Sequence, residues 1–355
     1  MEKAIAKKVF IEGYGVGETE VKETCGLMQA SYIGGENLTW MGDGIMRYEQ
    51  NQKKKKGKWR SVLMVILILL IAGAGYSYYQ YRQGVNQSLK KVSKTNQVVY
   101  TFDGKKDQFG DTNILLLGSD ARGNEVSRAD TIMIAHYNEN KGTYKLTSIM
   151  RDSYVDIPGY GKHKINSAFA RGGPDLMRKT IKENFGIDLQ YYAIVHFQGF
   201  VQLIDEAFPN GVKIDVEKAM SKNIGVSLKP GVQRLNGKEM LGYVRFRHDA
   251  IGDFGRVKRQ QQAVKAIGEQ LTSINTIPKI PKLIGVITPY INTNMQTSDI
   301  IFMTTNYFSH KNRPVETLRI PVDNSYTNQR IYGEGAVLSI DVAKNREALQ
   351  QFITK

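Results

Sequence analysis

The feature that most constrains this chain is a run of 21 residues without a charge, from Ser61 to Tyr81 (SVLMVILILLIAGAGYSYYQY). A helix rises ~1.5 Å per residue, so the run spans roughly 30 Å, the thickness of a hydrocarbon core. Its centre, Val62 to Ile71, holds only aliphatic residues and Met, and Lys53, Lys54, Lys55, Lys56, Lys58 and Arg60 crowd its upstream side. Basic flanks stay in the cytoplasm. The pattern therefore predicts one N-terminal transmembrane helix at 61–81, in a single-pass cell-membrane protein with a cytoplasmic N-terminus. Everything beyond Tyr81 is then extracytoplasmic. Trp59 on one side and Tyr76, Tyr78, Tyr79 and Tyr81 on the other fall where interfacial aromatic belts form. The rival is a cleaved signal peptide with Ala72-Gly73-Ala74 as its small-residue site. The uncharged run continues well past that site, which favours the anchor.

Residues 1–60 read as a cytoplasmic tail. Within it, 1–45 are mixed polar sequence with scattered glycines and no periodicity, whereas Met46 opens MRYEQNQKKKKGKWR, the way a short tail before an anchor usually begins. Met46 is the expected translation start; a cytoplasmic extension without regular structure is the alternative. Residues 82–106 are polar and lysine-bearing and read as a stalk. Residues 107–355 then read as one outer domain, since no linker demands a second. The lone cysteine, Cys25, precedes the anchor, which rules out a disulfide framework or a cysteine metal site in the outer region. His136, His163, His196, His248 and His310 lack the H-E-x-x-H spacing of a zinc hydrolase. The formal charge is +15, and from Arg82 onward Lys and Arg outnumber Asp and Glu 38 to 26 by count. The outer region thus favours anionic partners of its own accord.

The outer region alternates strand and helix signals, the mark of an α/β domain. Strands are expected at 113–117, 131–137, 145–149, 191–197, 212–216, 318–320 and 337–340. Helices are expected at 174–185, 199–208, 236–246, 254–271, 284–290, 297–308 and 344–353. Pro174 and Gly186 punctuate the first of these helices.

Four loop-like segments concentrate paired charges. Ser119-Asp120-Ala121-Arg122 follows the run NILLLG, and Ser127-Arg128-Ala129-Asp130 precedes the next strand. Met150-Arg151-Asp152 ends KLTSI. Arg245-Phe246-Arg247 leads to Asp253, Arg256, Arg259 and Gln260. Polar residues at strand ends of an α/β sheet sit at the crevice where ligands bind. The set suits a pyrophosphate. Arginine grips phosphate oxygens in pairs and keeps its charge, and a carboxylate pair such as Asp120 and Asp130 suits a magnesium ion. Each segment taken singly also reads as an ordinary salt bridge or turn. Neither a P-loop nor a G-x-S-x-G elbow is present.

At these segments the chain resembles the LytR-CpsA-Psr family. The matching stretches are NILLLGSDARGNEVSRADTIMI (113–134), LTSIMRDSYVDIPGYGKHKINSAFARGGP (146–174) and LNGKEMLGYVRFRHDAIGDFGRVKRQQQ (235–262), within 113–271. No motif was recognised in 272–355. The resemblance implies an α/β/α sandwich with a mixed central sheet, and a lipid tail lodged in an apolar channel between sheet and helices. It implies a phosphotransferase that takes an undecaprenyl-pyrophosphate-linked glycopolymer, such as wall teichoic acid or capsule. The acceptor would be the 6-hydroxyl of N-acetylmuramic acid in peptidoglycan. Carried over by position, Asp120 and Asp130 would hold Mg2+. Arg122, Arg128, Arg151, Arg245, Arg247, Arg256, Arg259 and Gln260 would contact or support the pyrophosphate, Arg122 matching least firmly. Lys164 and Asn166 match a K-I-N motif that reads equally well as a loop lock and helix cap. Arg151, Asp152, Arg245, Arg247 and Asp253 form the catalytic set. Asp152 and Asp253 are candidates for the base, and neither is assigned, because neighbouring arginines weaken a carboxylate as a base.

Three other readings stand beside this one: a lipid pyrophosphate hydrolase without a glycan acceptor, a non-catalytic glycan binder, and a transcriptional attenuator. The last conflicts with a charged domain outside the membrane, so no nucleic-acid partner is expected.

Overall fold

The computed structural model describes residues 37–40, 46–49, 56–90, 99–108, 111–119, 129–271, 277–309 and 315–355. Asp120, Arg122 and Arg128 lie outside these residues, as do most of 1–45 and part of the expected stalk.

The chain divides into two compact units, Met1–Ile71 and Ala72–Lys355. In the first, β1 (Asn37–Trp40) pairs antiparallel with β2 (Met46–Glu49). Helix α1 (Lys56–Leu89) starts there and continues into the second unit. Its stretch Ser61–Leu89 is long and apolar enough to cross a membrane, the one such helix among the described residues.

The second unit runs β3 (Thr112–Ser119), β4 (Thr131–Asn138), β5 (Thr143–Ile149), β6 (Ser153–Ile157), β7 (Gly161–Lys164) and α2 (Asn166–Phe185). There follow β8 (Tyr191–His196), α3 (Phe197–Ala207), β9 (Val212–Val216), β10 (Gly231–Leu235), α4 (Gly237–Arg245) and α5 (Asp253–Leu271). The chain ends with α6 (Ile280–Ile287), β11 (Ile291–Thr293), α7 (Thr297–Ser309), β12 (Glu316–Ile320), β13 (Tyr326–Ile331), β14 (Gly335–Ile340) and α8 (Val342–Thr354).

The main sheet has the order β11-β8-β3-β4-β5-β12. It is mixed: β3 pairs parallel with β8, and β5 with β12, while β4 is antiparallel to both its neighbours. Leu115 and Leu117 of β3 and Ile194 of β8 turn to one face, where they meet Met177, Ile181 and Phe185 of α2 and Leu349 and Ile353 of α8 in one buried cluster. On the opposite face α5 lies over the sheet, and Gln261 donates to Ser148 Oγ (3.1 Å) and to Leu318 O (2.9 Å). Tyr307 of α7 meets Tyr144 of β5 edge-on at 4.9 Å. Helices on both faces of a mixed sheet make this an α/β/α sandwich.

Three features differ from the sequence expectation. A second sheet, β13-β14-β6-β7, packs on α2 through Val155 and Ile157 of β6 and was not foreseen as a sheet. The helix expected from Pro174 begins earlier, at Asn166, with a kink at Gly172 and Gly173 just before that proline. Its N-cap residue is Ile165, which makes no side-chain cap, so Asn166 does not cap it. Finally, α1 continues past the expected end of the anchor at Tyr81 to Leu89. Its last turns pack on α6: Ser88 Oγ donates to Val286 O (2.7 Å), and Gln87 donates to Glu206 Oε2 of α3 (2.7 Å). Glycines face each other at the crossing. A β-carbon at Gly84 would lie 2.9 Å from Val286 N, and one at Gly285 would lie 3.0 Å from Val85 N, so neither position accepts a side chain without separating the helices.

One buried polar chain crosses the sheet. Asn113 donates to Asp107 Oδ2 (3.1 Å) and to Asp188 O (2.9 Å). Its Oδ1 accepts from His136 Nδ1 (2.6 Å), whose Nε2 accepts from Thr147 Oγ1 (2.9 Å). A neutral imidazole fits this geometry, with Thr147 as the donor. Burial, aided by the charge of Lys145, pushes the His136 pKa down to about 3. An unfolded histidine takes up a proton near pH 6.5 and the folded one does not, so stability is complete above that pH and falls as pH drops toward 3. Urea denaturation between pH 7 and pH 5 should show a loss approaching ~1.4 kcal/mol per pH unit below pH 6.5 from this one group. A flat profile across that window would contradict a neutral buried His136.

Candidate active site

The site forms where strands end. Asp130 stands immediately before β4, and its backbone N–H donates to Gly118 O (3.0 Å), extending the β3–β4 pairing to its last rung. Arg151 and Asp152 occupy the tight turn after β5, closed by Ser153 N–H to Met150 O (3.0 Å). The third contribution comes from α4 and α5. Asn236 and Glu239 form a reciprocal capping box that fixes the start of α4 (Glu239 N to Asn236 Oδ1 3.0 Å, Asn236 N to Glu239 Oε2 2.9 Å). This places Arg245 in the last turn of α4 and Arg247 in the loop beyond it. Asp249 Oδ1 accepts from Ile251 N (3.2 Å) and Gly252 N (2.8 Å), turning the loop into α5, which opens with Asp253.

Arg151 lies at the centre. Its Nη1 donates to Asp130 Oδ1 (2.5 Å), and its Nε lies 3.5 Å from Asp152 Oδ2 and 3.6 Å from Asp253 Oδ2. Arg247 spans Asp130 Oδ2 (3.4 Å) and Asp253 Oδ1 (3.7 Å). Arg256 donates to Asp253 Oδ2 (2.8 Å) and to the Asp130 carbonyl (3.1 Å). Lys164 pairs with Asp152 Oδ1 (3.1 Å), so this residue of the K-I-N segment borders the cluster. Burial alone would raise the Asp130 pKa, but the hydrogen bond and charge of Arg151, with Arg247 and Arg256, hold it below the carboxylate range. Burial likewise opposes the Arg151 charge, and Asp253, Asp130 and Asp152 outweigh it. Arg256 is the most deeply set, and burial lowers it to about 10, the pull of Asp253 being offset by Arg247 and Arg151.

A cleft of about 330 Å³ opens onto this cluster. Asp130, Arg245, Arg247, Arg256 and Gln260 line it, together with Thr131, Phe197, Lys222, Asn223, Val244 and His248. Arg245 lies over the Phe197 ring (4.8 Å), and Gln260 donates to Thr131 Oγ1 (2.9 Å). Arg151, Asp152 and Asp253 are not in the lining; Arg151 and Asp253 stand behind it as partners of Asp130, Arg247 and Arg256, while Asp152 pairs with Arg151 and Lys164. Phe197, Lys222 and Asn223 were missed in the sequence, because no spacing ties them to the charged segments; His248 was passed over although it directly follows Arg247.

Arg259 faces elsewhere. Its side chain is 2% exposed and both terminal nitrogens are engaged: Nη1 meets Glu217 Oε1 (2.7 Å) and Asp249 Oδ2 (2.9 Å), and Nη2 donates to Phe246 O (2.7 Å). It clamps the loop that carries Arg247 rather than lining the cleft.

The family model described as the LytR_cpsA_psr family matches residues 75–349. The chain belongs to this family. Among LytR_cpsA_psr relatives, "Regulatory protein MsrR" of Staphylococcus aureus is 45% identical over 275 residues, which is 78% of this chain and 84% of that protein. "Polyisoprenyl-teichoic acid--peptidoglycan teichoic acid transferase TagU" of Oceanobacillus iheyensis is 34% identical over 215 residues, 59% of this chain and 66% of that one. Among solved family structures, B. subtilis TagV matches with a TM-score of 0.59 at 27% identity, covering 70% of this chain and 98% of that one. "TagT bound to LI-WTA" matches with a TM-score of 0.58 at 25% identity, covering 73% and 100%.

The two kinds of arginine should separate in denaturation experiments. Arg259→Leu leaves Asp249, itself 3% exposed, without its buried partner, and should cost ~3–5 kcal/mol. Arg247→Ala removes a more open contact and should cost no more than ~1 kcal/mol. Equal losses would mean that Arg247 is structural.

Proposed function

We propose that this chain transfers a glycosyl-phosphate polymer, of the wall teichoic acid or capsule kind, from undecaprenyl pyrophosphate to the 6-hydroxyl of N-acetylmuramic acid in peptidoglycan. The observation that carries the reading is the convergence of Arg245, Arg247 and Arg256 with Asp130 on one cleft at the end of the main sheet. The proposed orientation puts this cleft outside the membrane, with Lys53–Lys58 in the cytoplasm. The relatives named teichoic acid transferases support transfer as the activity. The regulatory name of the MsrR relatives specifies no chemistry, and the cleft favours phosphate chemistry.

In the proposed reaction the acceptor hydroxyl oxygen attacks the phosphorus that carries the glycan. The bond from that phosphorus to the bridging oxygen breaks, and undecaprenyl phosphate leaves with the bond's electrons. Charge gathers on the phosphoryl oxygens and the departing bridge, where the guanidinium forks of Arg247 and Arg256 stabilise it. The hydroxyl proton passes to Asp152 or Asp253 or to water. Both carboxylates sit against cations, so charge stabilisation, rather than base strength, carries most of the rate enhancement. The lipid tail would run along the sheet face turned from α2 and α8, where Ile114, Leu116 and Val195 are left half-buried.

Magnesium belongs to the proposal, held by Asp130 and Asp120. Asp130 fits the role: it lines the cleft, stays ionised, and has lone pairs beyond those its two arginines use. Magnesium needs only one or two carboxylates when phosphates complete its shell, and when bound it supplies further neutralisation of phosphate charge.

The test is release of polyprenyl phosphate from a lipid-pyrophosphate glycan, with and without a peptidoglycan acceptor. Release should require the acceptor, should fall ~10²–10³-fold in Arg247→Ala, and should stop on chelation and return with Mg2+. Equal release without acceptor would make the protein a hydrolase, and normal turnover of Arg247→Ala would remove this arginine from the mechanism.

A further inference from the structure

The cleft is lined by two different chemistries. Asp130, Arg247 and Arg256 are ionic and densely cross-paired. Lys222, Asn223 and His248, beside Phe197 and Val244, carry one formal charge among them and are mixed in character.

Lys222 and Asn223 belong to the connection between β9 and β10, which is clamped although its tip is exposed. Met220 and Leu228 exchange backbone hydrogen bonds across it (3.0 and 2.8 Å). Met220, Ile224 and Leu228 are buried in a cluster shared with α3, α4 and α5. Asn223 (φ 61) and Gly225 (φ 70) both take the left-handed backbone, which lifts residues 222 and 223 out of that apolar footing. The Asn223 amide Nδ2 then donates to His248 Nε2 (2.8 Å), tying this tip to the residue that follows Arg247. Two exposed polar side chains on a rigid, apolar-footed turn, tied to the charged loop, form a preorganised surface.

With Nε2 accepting, His248 keeps an N–H at Nδ1. Asn223 keeps one N–H and its Oδ1, and Lys222 keeps its ammonium; these groups have no protein partner among the described residues. This inventory contains donors and an acceptor. A phosphate accepts only, so the Asn223 oxygen would face it unfavourably. A sugar offers hydroxyl and acetamido groups that both donate and accept, together with a C–H face that suits the apolar wall of Phe197 and Val244.

We infer that Lys222, Asn223 and His248 form a sugar subsite that grips the first, uncharged sugar of the donor next to its pyrophosphate. This rests on the proposed glycopolymer donor and makes these residues determinants of donor choice rather than of phosphate chemistry.

The test uses the full chain in detergent and two probes: polyprenyl pyrophosphate alone, and the same lipid carrying one N-acetylhexosamine. Asn223→Gly keeps the left-handed backbone while removing the amide, so it leaves the turn intact. Combined with Lys222→Ala, it should weaken binding of the sugar-bearing probe about tenfold and leave the sugar-free probe within about twofold. Arg247→Ala should weaken both. If the double variant weakens both probes alike, the cluster is a phosphate contact and the sugar subsite is wrong; if it weakens neither, the subsite does not exist. If Arg247→Ala spares both probes while the double variant still discriminates, the sugar subsite stands and the pyrophosphate reading falls.

Discussion

Three carboxylates from three segments converge on one guanidinium. Asp130 arrives from the start of β4, Asp152 from the turn after β5 and Asp253 from the start of α5, and Arg151 touches all three. The arrangement closes the end of the main sheet against α5, beside the buried apolar contact of Met150 with Val257, and it sets where Arg247 and Arg256 can stand, since both use the same Asp130 and Asp253. Partly buried charges survive only when paired, so the carboxylates hold the arginines at short range in the absence of any anion. The cleft is thereby preorganised for a negative ligand, and little reorganisation accompanies binding.

Arg259 and Arg247 show how one side-chain type divides its labour. Arg259 is closed in by Glu217, Asp249 and a backbone carbonyl, an inward clamp that fixes the loop. Arg247, in that loop, makes longer contacts and lines the cleft. The fixed position of the second depends on the ion pairs of the first. Asp249 contributes on both sides, turning the chain into α5 while accepting from Arg259.

Much of this was legible in the sequence. The apolar runs NILLL and KLTSI are internal strands of the main sheet, and Pro174 and Gly186 do bracket a regular helical stretch. What escaped was set by long-range pairing. The strand GKHK has no apolar pattern and exists because Tyr154 to Ile157 pair with it; YTNQRI is largely exposed and is held by β14. At the site, charged residues at strand ends were visible as candidates, but spacing could not say which way each points. Arg256, Arg259 and Gln260 share one helix surface by sequence, yet the first and last line the cleft while the middle one turns to the loop. Lys222 and Asn223 carried no signal, because their role arises from a fold-back that brings β9 and β10 beside α4.

The self-paired character of the cluster raises the question of whether it needs a ligand at all. Arg151 Nε, Arg256 Nε and Asp253 Oδ1 are buried without a hydrogen bond, but so is Nε of the clamping Arg259, so unsatisfied atoms do not by themselves set the cluster apart. The balance of charge does. Arg151, Arg245, Arg247, Arg256 and Lys164 face Asp130, Asp152 and Asp253, so among these residues the cations exceed the carboxylates by two. A diphosphate brings negative charge and acceptor oxygens to a place that has an excess of donors, whereas a neutral ligand would leave that excess uncompensated. The sugar of the proposed donor, which brings no charge, then has reason to lie against the wall formed by Phe197, Asn223 and His248, where Lys222 is the one formal charge.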